Sequence, residues 1–136
     1  MSYQATWEEP YGFYARFTGW VTPESAARLV REMTADARYD DLHYAIVDLS
    51  AAPGHTFRRG DRARIGEAMA ELIGAHFSNR RVIEVAIATD PRMLSFLATY
   101  AELTARPFRI FAGLDEARAF LATGTPAIAP STLPKP

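Results

Sequence analysis

Two short apolar runs constrain the fold more than any other feature of the chain. Residues 44–49 read YAIVDL and residues 81–89 read RVIEVAIAT, each mostly apolar with a polar residue at or near its end. Such runs predict central strands covered on both faces, the pattern of a parallel sheet. Parallel neighbours cannot be joined by a tight turn. They need crossover connections, commonly helical and right-handed. The segments between the strands should therefore read as helices.

They do. Thr22-Pro23-Glu24 is a helix start: Thr22 can cap, Pro23 suits the first helical position, and Glu24 favours the positive end of the dipole. Ala26, Leu29, Val30, Met33 and Ala37 follow at helical spacing, Arg28, Arg31, Glu32 and Asp36 fall mostly elsewhere on the wheel, and Tyr39-Asp40-Asp41 ends the helix. A second helix is expected over residues 61–77, with Ile65, Met69, Leu72, Ile73 and His76 as its stripe. Gly66 and Gly74 weaken it, each by about 1 kcal/mol relative to Ala. Asp90-Pro91 repeats the cap-then-Pro pattern and opens a third helix to about residue 105. A short strand over 108–112 and a last helix over 114–122 follow, with Leu114, Ala117 and Leu121 on one face and Gly124 as its C-cap.

Upstream, Tyr3, Ala5 and Trp7 share a face, residues 8–12 make a turn, and Phe13, Ala15 and Phe17 alternate with Tyr14, Arg16 and Thr18. This predicts a hairpin whose second strand, apolar or aromatic on both faces, lies inside the sheet. The expected fold is α/β: one domain over residues 1–123, a mixed but mostly parallel sheet of four or five strands, an antiparallel N-terminal hairpin and about four helices. Residues 124–136 are Pro-rich and read as an extended tail.

Composition narrows the function classes. The 136 residues carry a formal charge of -1, which argues against a general nucleic-acid or anionic-membrane binder. With no cysteine, thiolate catalysis, disulfides and Cys-ligated zinc are excluded. No apolar run approaches the roughly 18 residues of a membrane span. The N-terminal residues lack the basic and apolar regions of a secretion signal, so a cytoplasmic location is expected.

The chain resembles the SpoIIAA-like, or STAS-like, small bacterial domains, whose fold is related to that of CRAL-TRIO lipid-binding domains. The resemblance covers residues 10–123 and rests on GFYARFTG followed by a Thr-capped helix, on RYDDLHYAIVDLS, on RVIEVAIATDP and on FRIFAGLDEARAFL. It implies a mixed sheet with helices, and a role in protein interaction or apolar-ligand binding rather than catalysis. The anti-sigma-factor antagonists of that group carry a phosphorylatable Ser beyond a strand-ending Asp-Leu-Ser. Asp48-Leu49-Ser50 matches the strand end, but Phe57, Arg58 and Arg59 stand at the later positions. The phosphoswitch is therefore not carried over.

The loop after residue 49 gathers chemistry. Asp48, Ser50, His55 and Thr56 offer the residue types of a nucleophilic site, but no Gly-x-Ser-x-Gly elbow surrounds Ser50. The simpler reading is that Asp48 and Ser50 satisfy backbone groups where the strand ends. Arg58, Arg59, Arg62 and Arg64 crowd the start of a helix, where its dipole disfavours cations. They form a candidate anion or partner patch, the alternative being a solvated first turn. His43, His55 and His76 are scattered, so no metal site and no cofactor is expected. The third helix carries two apolar stripes: Leu94, Leu97 and Ala101, and Met93, Phe96, Tyr100 and Leu103. A wide core face, a homodimer surface and a pocket wall all fit this pattern. Met93, Phe96, Leu97, Tyr100 and Leu103 are the candidate partner or ligand surface. The expected function is a non-enzymatic regulatory or protein-interaction domain that docks a partner or itself. The alternative is a module for a small apolar or amphipathic ligand, with an arginine holding an anionic head group.

Overall fold

The computed structural model describes residues 2–56, 81–104 and 109–124. Five strands form one sheet in the order β1-β2-β3-β4-β5: Tyr3–Glu8, Gly12–Phe17, Tyr44–Asp48, Ile83–Ile87 and Arg109–Phe111. β1 runs antiparallel to β2, pairing Tyr3 with Phe17 and Glu8 with Gly12. The pairs β2-β3, β3-β4 and β4-β5 are all parallel. The turn between β1 and β2 includes a cis Glu9-Pro10 bond. The predicted antiparallel edge and parallel body are both present.

Helix α1 (Pro23–Ala35) starts as the sequence predicts, and one residue adds to the prediction. The Ser25 amide donates to Thr22 Oγ1 at 3.0 Å, and the Thr22 amide donates to Ser25 Oγ at 2.9 Å. This reciprocal box satisfies two amides that the helix geometry leaves without partners, worth about 1 kcal/mol. A 3-10 turn, Ala37–Asp41, follows, capped by Asp36, whose carboxylate accepts the Arg38 amide at 2.9 Å. Helix α2 spans Pro91–Thr104 and helix α3 spans Leu114–Gly124. Gly124 is thus the last residue of α3 rather than a cap beyond it. Three α-helices stand among the described residues, where about four were expected. The expected helix over 61–77 and the tail beyond 124 lie outside the described residues.

Strand alternation divides the sheet into two faces. Phe13, Ala15, Phe17, Ala45, Leu49 and Ala86 turn to one side and pack with α1 (Leu29, Val30, Met33) and α2 (Met93, Leu97). Ile46, Val85 and Ile87 turn to the other and pack with α3 through Ala117 and Leu121. The two central apolar runs are therefore covered on both faces, which explains why they lack a polar side. Each fully buried large side chain contributes roughly 1.5–3 kcal/mol.

Candidate functional site

The C-terminal ends of β2, β3 and β4 gather three connections, at the edge where open α/β sheets put their sites. β3 ends at Asp48, which is 4% exposed. Its Oδ1 accepts the Ser50 amide at 3.0 Å and the Ser50 hydroxyl at 2.6 Å. Its Oδ2 accepts the Tyr14 hydroxyl at 2.8 Å, with Arg16 Nε at 4.0 Å. Burial pushes the Asp48 carboxyl up, but the hydrogen bonds from Ser50 and Tyr14 outweigh it and hold the group below its ordinary value. Burial, then the bond to Asp48, pushes the Tyr14 phenol up to about 12. Ser50 thus donates to a carboxylate too weakly basic to take its proton, where a nucleophile needs a stronger base beside it. The Asp48-Ser50 pair turns the chain off the strand.

Beyond it, the chain crosses the end of β2. The Val21 amide donates to the Gly54 carbonyl and the Thr56 amide to the Val21 carbonyl, each at 3.0 Å. Trp20 lies over Gly54, so closely that a Cβ there would stand 2.7 Å from the indole. The indole is nonetheless 53% exposed. His55 stacks on Phe96 of α2, ring centres 5.3 Å apart. Trp20, the 53–55 loop and Phe96 therefore form one aromatic end to the sheet, and the sequence pattern had not singled out Trp20 for it. The pointer was Gly54, which clears room for the indole.

The proposed stripe on α2 is divided differently from its sequence pattern. Met93 and Leu97, each 2% exposed, are turned onto the sheet, so neither is available to a protein partner from outside. Phe96 is half-buried and Leu94 is exposed at 36%. The reason is geometric: residues four apart share a helix face, so the sheet takes one member from each predicted stripe. The side chains of Tyr100 and Leu103, and the whole of Arg58, Arg59, Arg62 and Arg64, lie outside the described residues. Among the described residues no group of three or more acidic or His side chains could hold a metal ion. The His43 ring lies tilted against that of Tyr11, centres 4.6 Å apart.

Two further features were not legible in the sequence. At the opposite end of the sheet, Glu8 Oε1 accepts the Tyr44 hydroxyl at 2.6 Å. Arg118 of α3 grips the same carboxylate with both terminal nitrogens, at 2.9 and 2.7 Å. The Arg118 bonds, then the Tyr44 hydroxyl, hold the Glu8 carboxyl below its ordinary value against the opposing effect of burial. Gly12 makes this possible: a Cβ there would lie 2.2 Å from Tyr44 Cζ, so the ring crosses β2 only over glycine. On the other face, a cavity of about 70 Å³ opens between α1, α2 and the sheet, lined by Phe13, Phe17, Met33, Phe96 and Leu97 with Glu84 of β4 at its wall.

No family model and no curated protein matches the sequence. Solved structures do match in fold. The unphosphorylated anti-sigma factor antagonist SpoIIAA superposes with a TM-score of 0.52 at 9% identity, over 90% of this chain and 98% of that one. An uncharacterised DUF3478-family protein with a SpoIIAA-like fold from Shewanella loihica PV-4 gives 0.54 at 14% identity, over 88% and 93%. An anti-sigma factor antagonist from Mycobacterium paratuberculosis gives 0.52 at 14%, over 89% and 95%. The fold is SpoIIAA-like, as the resemblance implied. No helix among the described residues is long and apolar enough to cross a membrane.

Proposed function

We propose that this protein is a non-enzymatic regulatory domain that docks a protein partner at the C-terminal end of its parallel strands. The observation that carries the reading is Trp20, half in solvent yet seated on Gly54. A rigid, partly exposed indole on a scaffold of strand ends is the type of residue that anchors protein interfaces. Phe96 beside His55 forms the apolar flank of the surface. Tyr100 and Leu103 continue the same helix, and Arg58, Arg59, Arg62 and Arg64, which follow the loop in sequence, are its proposed cationic contribution, outside the described residues. Two of the similar structures are described as anti-sigma factor antagonists, which supports a regulatory protein contact. A cytoplasmic setting and a partner that includes a second copy of the chain belong to this proposal.

Affinity capture from the native host, with wild-type and Trp20→Ala protein, tests it. A partner retained by wild type and recovered roughly tenfold less, or worse, with Trp20→Ala supports the reading. Equal recovery with both removes the indole from the interface. Light scattering of the two proteins, and of Phe96→Asp, shows whether the partner is a second copy.

The cavity beside α1 and α2 favours a second reading, an apolar ligand. Its size sets a limit. A cavity of about 70 Å³ is smaller than the ~150 Å³ that holds benzene and far below the ~300 Å³ of ordinary ligand sites. A short alkyl group fits without rearrangement, and a lipid chain does not. Unchanged melting in the presence of short-chain alcohols and of fatty acids, with no small molecule carried through native mass spectrometry, would end this reading.

A further inference from the structure

The two edges of the sheet are unequal. β5 has three residues, short enough to offer little to a neighbouring chain. β1 has six residues, pairs with β2 along its whole length without a bulge, and contains no Pro, Lys or Arg. Sheets ordinarily blunt an edge with such devices. The Thr18 amide donates to the Ser2 carbonyl at 3.0 Å, which phases the antiparallel ladder. Ser2, Gln4, Thr6 and Glu8 then bond toward β2, and the main-chain groups of Tyr3, Ala5 and Trp7 point away from it. Among the described residues no main-chain group pairs with that outer row.

A wide groove of about 950 Å³ runs beside this edge, floored by residues 3–6 and walled by Arg28, Arg31 and Glu32 of α1. The Tyr3 hydroxyl donates to Glu32 at 2.5 Å, so that carboxylate is engaged. Arg28 and Arg31 are exposed and stand in no ion pair among the described residues. The wall is net cationic.

We propose that β1 is a docking edge for an extended, acidic segment of a partner protein, which adds to the sheet as a sixth strand. The outer row of main-chain groups supplies hydrogen bonds, and carboxylates at alternate positions of the segment meet Arg28 and Arg31. A second copy of this chain suits the edge less well. Two-fold pairing of β1 with itself brings the Arg28 and Arg31 walls of two copies onto one sheet, and the one carboxylate that β1 carries, Glu8, is already held by Arg118. This surface is the open edge of β1 and not the strand-end loops that carry Trp20, although its Ser2 end abuts Gly19.

Fluorescence anisotropy with a labelled Thr-Val-Glu-Val-Glu-Val-Thr peptide and its Lys-for-Glu counterpart tests the proposal. The acidic peptide is expected to bind at least tenfold more tightly than the basic one, and less tightly as salt is raised. Ala5→Pro removes an outward amide and leaves the ladder to β2 intact, so it should weaken binding at least tenfold. If circular dichroism shows that Ala5→Pro does not fold, the pair Arg28→Glu and Arg31→Glu decides, since it leaves the main chain untouched and should reverse the preference between peptides. Failure of the acidic peptide to bind, equal affinity for both peptides, or indifference to the arginine pair would overturn the proposal. So would a dimer broken by these substitutions in a protein that binds neither peptide, because the occupant would then be a second copy.

Discussion

The two faces of this sheet are assembled by different rules. The face toward α1 and α2 is dry at its centre: Phe13, Ala15, Phe17 and Ala45 are all at most 4% exposed, and the forces that hold them are non-directional. The face toward α3 is apolar only beneath that helix. Across β1, β2 and β3 it is a grid of polar groups, with Tyr44 and Arg118 on Glu8 and with Tyr14 and Ser50 on Asp48. A dry face loses stability in proportion to the volume removed. A wired face loses it when one partner leaves another unsatisfied.

The largest effect should come from the dry side. Phe13→Ala is expected to cost about 3–5 kcal/mol in denaturant unfolding, because the adjoining cavity leaves few atoms to collapse into the space. A loss below about 1 kcal/mol would mean that this face is not tightly packed. Asp48→Ala should cost about 2–3 kcal/mol, less than the phenylalanine, because it strands the Tyr14 hydroxyl and the Ser50 amide. Adding Tyr14→Phe should recover part of that loss. Additive losses would show that the two groups do not act as a unit.

Gly12→Ala should cost about 1–3 kcal/mol by displacing the Tyr44 ring. In a Tyr44→Ala background the same change should be close to neutral, and a persisting penalty would locate the strain elsewhere. A double-mutant cycle on Glu8→Gln and Arg118→Met is expected to give only about 0.5–1 kcal/mol of coupling, since the Arg118 side chain is 41% exposed.

The smallest contrast is with pH. The Glu8 and Asp48 carboxyls are both held below their ordinary values of 4.5 and 3.8. Their contribution is complete above those values and disappears as pH falls through the lower folded-state ones. The Glu8→Gln and Asp48→Asn double variant should therefore lose less stability than wild type between about pH 6 and about pH 3. At the alkaline end, Tyr14 should ionise near 12, seen in an ultraviolet titration compared with Tyr14→Phe.

The same division decides what could be read from the chain. The dry face is periodic: Phe13, Ala15 and Phe17 alternate, Leu29, Val30 and Met33 recur at helical spacing, and Thr22-Pro23 announces a boundary. Each of those patterns is local, and the described strands and helices followed from them within about three residues at their ends, the first helix stopping at Ala35 with Ala37 in the 3-10 turn beyond it. The wired face is not local. Tyr44 and Glu8 are 36 residues apart and Arg118 and Glu8 are 110 apart, and no spacing rule connects them. Of the α2 stripe, the helix was legible but its rotation was not, because Leu94 and Leu97 are equally apolar in sequence and only packing on the sheet tells them apart. Ser50 was read correctly as a partner of the turn because an Asp two residues earlier is a local acceptor. The exposed position of Trp20 was not legible because an exposed indole and a buried one look alike in a list of letters.

The grip of Arg118 on Glu8 also sets an order of events during synthesis. Glu8 is made before both of its partners, and the first of these to emerge is the Tyr44 hydroxyl. Its last partner belongs to α3, which follows on the order of 10 s later at the usual pace of translation. For that interval the Glu8 carboxylate has a single phenol as its side-chain partner. The arginine then arrives as a closing bolt, fastening the beginning of the domain to its end only once every strand between them exists.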